Sequence, residues 1–168
     1  MKPEALIKKN KYYNLEISSI GVEDINQCLE IDQLIFRGLW TKTQWTKELA
    51  ERDRICYGIY SESKIIAIAC GWIVVDELQI TAIGVHPLKR NCGLGEKILS
   101  YLLNQAKMKG VTKAILEVKS YNLPAKNLYI KMGFTYKAIR KNFYEDGSDA
   151  LIFDSDLNAK GIAKNQIK

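Results

Sequence analysis

The 168-residue chain contains one histidine, His86, and four cysteines, Cys28, Cys56, Cys70 and Cys92. No two of the cysteines form a C-x-x-C pair, and none has a cysteine or histidine at zinc-ligand spacing. A structural zinc and a Cys-His nucleophile pair are therefore set aside, and no metal is expected. The cysteines read as reduced thiols of a cytoplasmic protein. Long apolar runs are missing too: IIAIACGWIVV (65–75) falls far short of the roughly 20 residues that a membrane helix needs. The opening stretch MKPEALIKKN is polar and lysine-rich, without the apolar core of a secretory leader. No Pro/Gly/Ser-rich linker and no internal repeat divides the chain, so a single domain is expected. A chain of this length buries about 70% of its unfolded surface and needs no staple to hold its core.

The net charge of +6 is confined to the two ends. Residues 1–14 carry four lysines against one glutamate, and residues 158–168 carry three lysines and no acid. The body, 15–157, is therefore neutral overall. A nucleic-acid module is expected to carry its basic stripe on the folded body. A basic N-terminal extension (1–14) and a basic C-terminal tail (158–168) around a domain at 15–157 read more simply as solubilising ends.

Hydrophobic spacing orders the domain. Asn14–Ser18 reads as a short strand, and DINQCLEIDQLIF (24–36) has apolar residues at helical intervals. Thr41 can cap a second helix through Trp45 and Leu49. ICYGIYS (55–61), KIIAIACGWIVV (64–75) and LQITAIGV (78–85) are β-branched runs separated by short polar breaks, which predicts a three-stranded meander. A helix over 94–109 follows, with Gly110 beyond its end. KAILEV (113–118) has apolar residues on both faces, the mark of a central strand parallel to a neighbour. A short helix over 124–132 and a hairpin about EDGSD (145–149) complete an α/β class with a mixed sheet.

RNCGLGEKIL (90–99) sets Gly93 and Gly95 between a strand and an amphipathic helix. Such a corner leaves backbone N–H groups unpaired at the helix start, and glycine lets a ligand approach them. With the helix dipole added, the natural guest is a phosphate or pyrophosphate; the alternative is a turn whose glycines serve steric needs alone. The spacing is not that of a Walker loop, which needs Lys-Ser/Thr after its last glycine. Nor is it a Rossmann fingerprint, whose third small residue would fall at Ile98.

Arg90 with the two glycines spells R-x-x-G-x-G, which resembles the acetyl-CoA pyrophosphate motif of the GNAT acetyltransferases. V-H-P precedes it at the strand end, and NLPAKNLYIKMGF (122–134) matches the later N-x-x-A-x-x-L-Y-x-x-x-G-F pattern. WTKTQW (40–45), VVDEL (74–78), LEV (116–118) and RKNFY (140–144) are similar to the RimI-like branch, the N-terminal protein acetyltransferases. The likeness runs from about Ile17 to Asp156. Asn91 stands where that branch often has Arg, Tyr121 where Ser is usual, and Phe143 where relatives often have Tyr.

The resemblance implies the GNAT fold, a mixed, mostly antiparallel sheet of about seven strands flanked by four helices. It implies acetyl-CoA as co-substrate, held along Arg90, Asn91, Cys92, Gly93, Leu94, Gly95 and Glu96. Main-chain N–H groups of Ile83, Gly84 and Val85 would polarise the thioester carbonyl. Asn122 either reaches the pantetheine arm or caps the helix after it. Glu117 would be the base, acting through water; a glutamate in an otherwise apolar strand is partly desolvated, which favours the neutral carboxyl. The alternative is an ion pair with Lys119 or Arg140. Tyr129 would protonate the departing thiolate, or else serve the core. Trp40, Phe143 and Tyr144 would line the peptide groove. His86 reads as structural, and Asp76 and Glu77 as a turn, with substrate contact the alternative for that pair.

The implied acceptor is the α-amine of a protein, the N-terminal alanine of a small-subunit ribosomal protein. No nucleic acid need be bound directly, no membrane is involved, and a monomer or weak dimer is expected. Rival readings are a GNAT enzyme acting on a small-molecule amine or lysine side chain, a non-catalytic CoA-binding regulator and an RNA-binding module.

Overall fold

The computed structural model describes residues 15–159. The basic extension 1–14 and nearly all of the tail expected at 158–168 lie outside the described residues.

Seven strands form one sheet: β1 (Leu15–Ser19), β2 (Arg54–Ser61), β3 (Lys64–Val74), β4 (Glu77–Val85), β5 (Lys113–Lys119), β6 (Thr135–Arg140) and β7 (Ala150–Asp156). Their spatial order is β1-β2-β3-β4-β5-β7-β6. β4 and β5 run parallel, and the other neighbouring pairs are antiparallel. The four helices are α1 (Ile25–Phe36), α2 (Lys42–Ala50), α3 (Leu94–Met108) and α4 (Leu123–Lys131). The expected order of elements holds throughout, with ends moved by a residue or two. α1 starts at Ile25 because Val22–Asp24 forms a tighter 3-10 turn.

Strand periodicity sorts the core into two layers. On β2, Ile55, Tyr57 and Ile59 face α3, whereas Cys56 faces α1 and α2. On β3, Ala67 and Ala69 share the α3 side, and Ile68 and Cys70 the other. A strand covered on both faces has no use for alternation, so Ile65–Cys70 is apolar without a break. α3 presents Leu94, Ile98, Leu99, Leu102, Leu103 and Ala106 as one fully buried stripe.

Local chemistry fixes the helix ends. Thr41 caps α2: its Oγ1 accepts from Gln44 N at 3.3 Å, while its own N–H donates to Gln44 Oε1 at 2.9 Å. Asp32 on α1 is 1% exposed and holds the segment between α1 and α2. It accepts from Leu39 N at 2.6 Å, Trp40 N at 3.0 Å and Trp45 Nε1 at 2.7 Å. Asp32→Ala strands all three donors and is expected to lower the unfolding free energy by about 3 kcal/mol. Urea denaturation measures this, and an unchanged midpoint would show that water replaces the carboxylate at no cost.

Two irregularities in β4 prepare the site. Cys70 pairs with Ala82 and Gly71 with Ile80, so Thr81 is an extra residue relative to β3. Pairing with β5 runs from Glu77–Lys113 only as far as Ile80–Leu116. A bulge bends its strand and increases its twist, and here β4 leaves β5 where the bulge lies. β5 meanwhile stays on β7 as far as Lys119. β5 is central and parallel to β4, as expected, but its faces are unequal: Ala114, Leu116 and Val118 are buried, Ile115 is half-buried and Glu117 is exposed at the edge of the opening.

Among the described residues no helix is long and apolar enough to cross a membrane.

Candidate active site

At the glycine corner α3 starts without a side-chain cap. His86 N donates to Ile66 O at 2.8 Å, and His86 Nδ1 accepts from Leu88 N at 3.2 Å, which occupies the imidazole in turn formation. Arg90 Nε donates to Val85 O at 3.3 Å and ties the corner to β4. Asn91 and Gly93 both take left-handed backbone, with φ of 58° and 75°. Gly93 precedes α3 as its N-cap and offers no side chain to the helix. The N–H groups of Leu94, Gly95 and Glu96 have no acceptor among the described residues. At Gly95 a Cβ would lie 3.3 Å from Leu128 Cδ2, so glycine keeps α3 close to α4.

A cleft of about 530 Å³ opens on these N–H groups, with Arg90, Asn91, Lys89 and Glu96 around it. Ile83, Gly84, Val85 and Asn122 also line it, whereas Cys92 is exposed and does not. Gly84 has a packing role besides: a Cβ there would run into Ile35 and lie 2.8 Å from Phe36 Cζ.

A second cleft, of about 690 Å³, fills the gap between Thr81–Ile83 of β4 and Leu116–Lys119 of β5. Phe36, Ile83, Asn122 and Tyr129 line both clefts, so the two form one groove. Beyond Ile80 no strand among the described residues pairs with β4 on its β5 side. Alternate N–H groups of that stretch therefore face the groove.

Tyr129 stands at the junction. Its ring is 7% exposed, and its hydroxyl has no hydrogen-bond partner among the described residues. Burial pushes the phenol pKa up to about 12, with Tyr144 adding to the effect. Tyr144, also lining the groove, is raised by burial and then by the charge of Glu117. Glu117 is less enclosed than its strand pattern implies. Its side chain is 34% exposed, and Oε1 accepts from Arg140 Nη1 at 2.6 Å. The ion pair with Arg140 is thus present, on a carboxylate that still faces the groove.

Asn122 makes its helix cap, with Oδ1 accepting from Ala125 N at 3.2 Å. Its amide NH₂ has no partner among the described residues and remains on the groove wall. Tyr121 and Lys119 anchor the β6–β7 connection: Asp146 Oδ2 accepts from Lys119 Nζ at 2.6 Å and Tyr121 Oη at 3.0 Å. Lys119 heads the contacts that hold the Asp146 carboxyl far below the usual range, and the turn beside Tyr144 is fixed by them. Asp76 accepts from Thr112 Oγ1 at 2.9 Å and Glu77 pairs with Lys113, both at the end of β4 remote from the gap.

Not every expected residue meets the groove. Trp40 packs edge-on against Trp45, with ring centroids 4.7 Å apart. Phe143 lies outside as well, 4.0 Å from the Arg140 guanidinium. Of the three aromatics expected to hold a peptide, Tyr144 alone lines the groove. In their place stand Phe36, Gly38 and Leu39 at the end of α1.

Residues 25–134 match the family model described as the acetyltransferase (GNAT) family. The chain is a GNAT acetyltransferase. Over 144 residues this acetyltransferase is 37% identical to a Bacillus subtilis (strain 168) protein provisionally assigned as a ribosomal protein bS18-alanine N-acetyltransferase, covering 84% of this chain and 95% of that one. It is 31% identical over 139 residues to the ribosomal protein bS18-alanine N-acetyltransferase of Escherichia coli (strain K12), covering 81% and 93%. The crystal structure of the ribosomal-protein-S18-alanine N-acetyltransferase from Escherichia coli superposes with a TM-score of 0.81 at 27% identity, over 92% of this chain and 100% of that one. Acetyl-CoA is the acyl donor of the GNAT family, and the acetyltransferase has a groove that suits it. Three N–H groups without an acceptor among the described residues and two cations lie at one end. Tyr129 lines the groove where it meets the gap between the strands.

Proposed function

We propose that the protein transfers an acetyl group from acetyl-CoA to the α-amine of a protein, the N-terminal alanine of small-subunit ribosomal protein bS18. The acceptor is that of the named relatives, and a ribosomal acceptor makes this a cytoplasmic enzyme. One observation carries the mechanism: the parting of β4 from β5 after Ile80 and Leu116 joins the glycine corner, Glu117 and Tyr129 along one groove.

The N–H groups of Leu94, Gly95 and Glu96 hold the diphosphate, with Lys89 and Arg90 adding positive charge. The NH₂ of Asn122 steadies the arm. Main-chain N–H groups between Thr81 and Val85 receive the charge that develops on the acyl oxygen. Glu117 takes the proton of the incoming amine through water. An α-amine has a pKa of about 7.7–8.0 against about 10.4 for lysine, so one partly exposed carboxylate suffices. Tyr129 donates its phenolic proton to the leaving thiolate. Transfer is direct, within a ternary complex.

Mass spectrometry of a peptide beginning Ala-Arg, incubated with acetyl-CoA in competition with a polyamine, tests the acceptor. Acetyl is expected on the peptide α-amine. Faster acetylation of the polyamine would overturn the reading in favour of a small-molecule amine.

A further inference from the structure

Glu48 of α2 has no part in the chemistry above, yet it is a carboxylate only 6% exposed. Its Oε2 is paired with Arg54 Nη1, and its Oε1 accepts from Thr81 Oγ1 at 2.9 Å. Arg54 is held in turn: its Nε donates to Glu51 Oε2 at 2.8 Å, and its guanidinium lies 5.0 Å from the centre of the Trp72 ring. A buried ion pair is seldom more stable than apolar side chains of the same shape, so stability alone is a weak account of this one.

Thr81 supplies a better account. It is the residue that β3 skips, and it follows the last residue of β4 paired with β5. Thr81 thus has no residue of β3 or β5 directly opposite it. Its side-chain hydrogen bond to Glu48 ties the bulge to α2. Thr81 also lines the groove, so the peptide units beside it face the reacting groups.

We propose that Glu48, clamped by Arg54, is a positioning residue that sets the Thr81 bulge and so aims the main-chain N–H groups of β4 at the acyl oxygen. The inference rests on the acetyl-transfer reading of the groove. A misplacement of about 1 Å in such a site costs on the order of 100-fold in rate.

The test is steady-state kinetics and thermal unfolding of the full chain with acetyl-CoA and the Ala-Arg peptide. Thr81→Val keeps the side-chain shape and removes the hydroxyl. It is expected to lower kcat about 10- to 100-fold, leaving the KM for acetyl-CoA within about twofold. Its melting temperature stays within a few degrees of the parent. Thr81→Ser restores the hydroxyl and most of the rate, and Thr81→Ala repeats the loss without added bulk. Wild-type kcat in Thr81→Val, or a loss confined to KM or to the melting temperature, overturns the role of Glu48 while the acetyl-transfer reading stands. A parent protein that transfers acetyl to no amine overturns both.

Discussion

Glu117→Gln is expected to lower kcat for acetylation of a peptide α-amine by about 100- to 1,000-fold at pH 7, within the range of a lost general base. The substitution is nearly isosteric, and its amide oxygen can still accept from Arg140, so the β5–β6 contact is kept. The stability change is expected to stay within about 1 kcal/mol, because the pair is partly exposed. KM for acetyl-CoA should not move, since Glu117 lies at the acceptor cleft and not at the corner of α3. The pH dependence separates a base from a structural anchor. Below a pH of about 8 the incoming α-amine is mostly protonated, and in the proposed mechanism removal of its proton falls to Glu117. As the pH rises beyond that value the amine arrives neutral, and the gap between parent and variant narrows. Rate profiles from pH 6 to pH 10 measure this. A deficit of constant size across the range, accompanied by a raised peptide KM, would assign Glu117 to acceptor binding instead.

Helical spacing made α3 legible, because a side chain facing the core must repeat with its helix. Unbroken β-branched runs between polar breaks made the meander legible, because β3 is covered on both faces. The glycine corner was legible as a strand–turn–helix junction for a related reason: open N–H groups at a helix start favour glycine in the chain before them, and glycine is visible in sequence. The acceptor side was not, and particular residues show why. Trp40 and Phe143 are large aromatics beside the family motifs, but Trp40 packs against Trp45 and Phe143 against Arg140. Phe36 and Leu39 reach the groove because α1 stops at Arg37, whose φ of 62° turns the chain over the cleft. The Arg-Gly pair at 37–38 is the one local sign of that turn. Glu117 read as partly desolvated because its strand neighbours are apolar. The divergence of β4 that exposes it follows from the pairing of three strands and has no local signature. The tie between Glu48 and Thr81 spans 33 residues and was invisible for the same reason.

Tyr129→Phe is the second large effect, an expected loss of about 100-fold in kcat with acetyl-CoA binding retained. The ring is buried beside Phe134, and phenylalanine fills the same volume, so the fold has little cause to change. What disappears is a proton donor. A phenol with its pKa pushed up to about 12 remains protonated across the working range. At first sight it is too weak an acid for a thiolate, whose own pKa is ordinarily about 8.5. The same burial that raises the phenol also penalises a thiolate formed beside it, so the gap between the two is smaller in the groove than in water. The sign of the shift gives a direct check. An acid must be protonated to act, and an unperturbed tyrosine would begin to lose activity near pH 10. With the pKa raised, the parent enzyme is expected to keep its plateau in kcat through pH 10, and the fall comes only as the pH nears the shifted value. Tyr129→Phe shows the same plateau at a lower level. A parent rate that fell through pH 9 to 10, with the fall absent from Tyr129→Phe, would mean that bound acetyl-CoA returns the phenol to its ordinary pKa. A variant with full turnover would leave Tyr129 to the core.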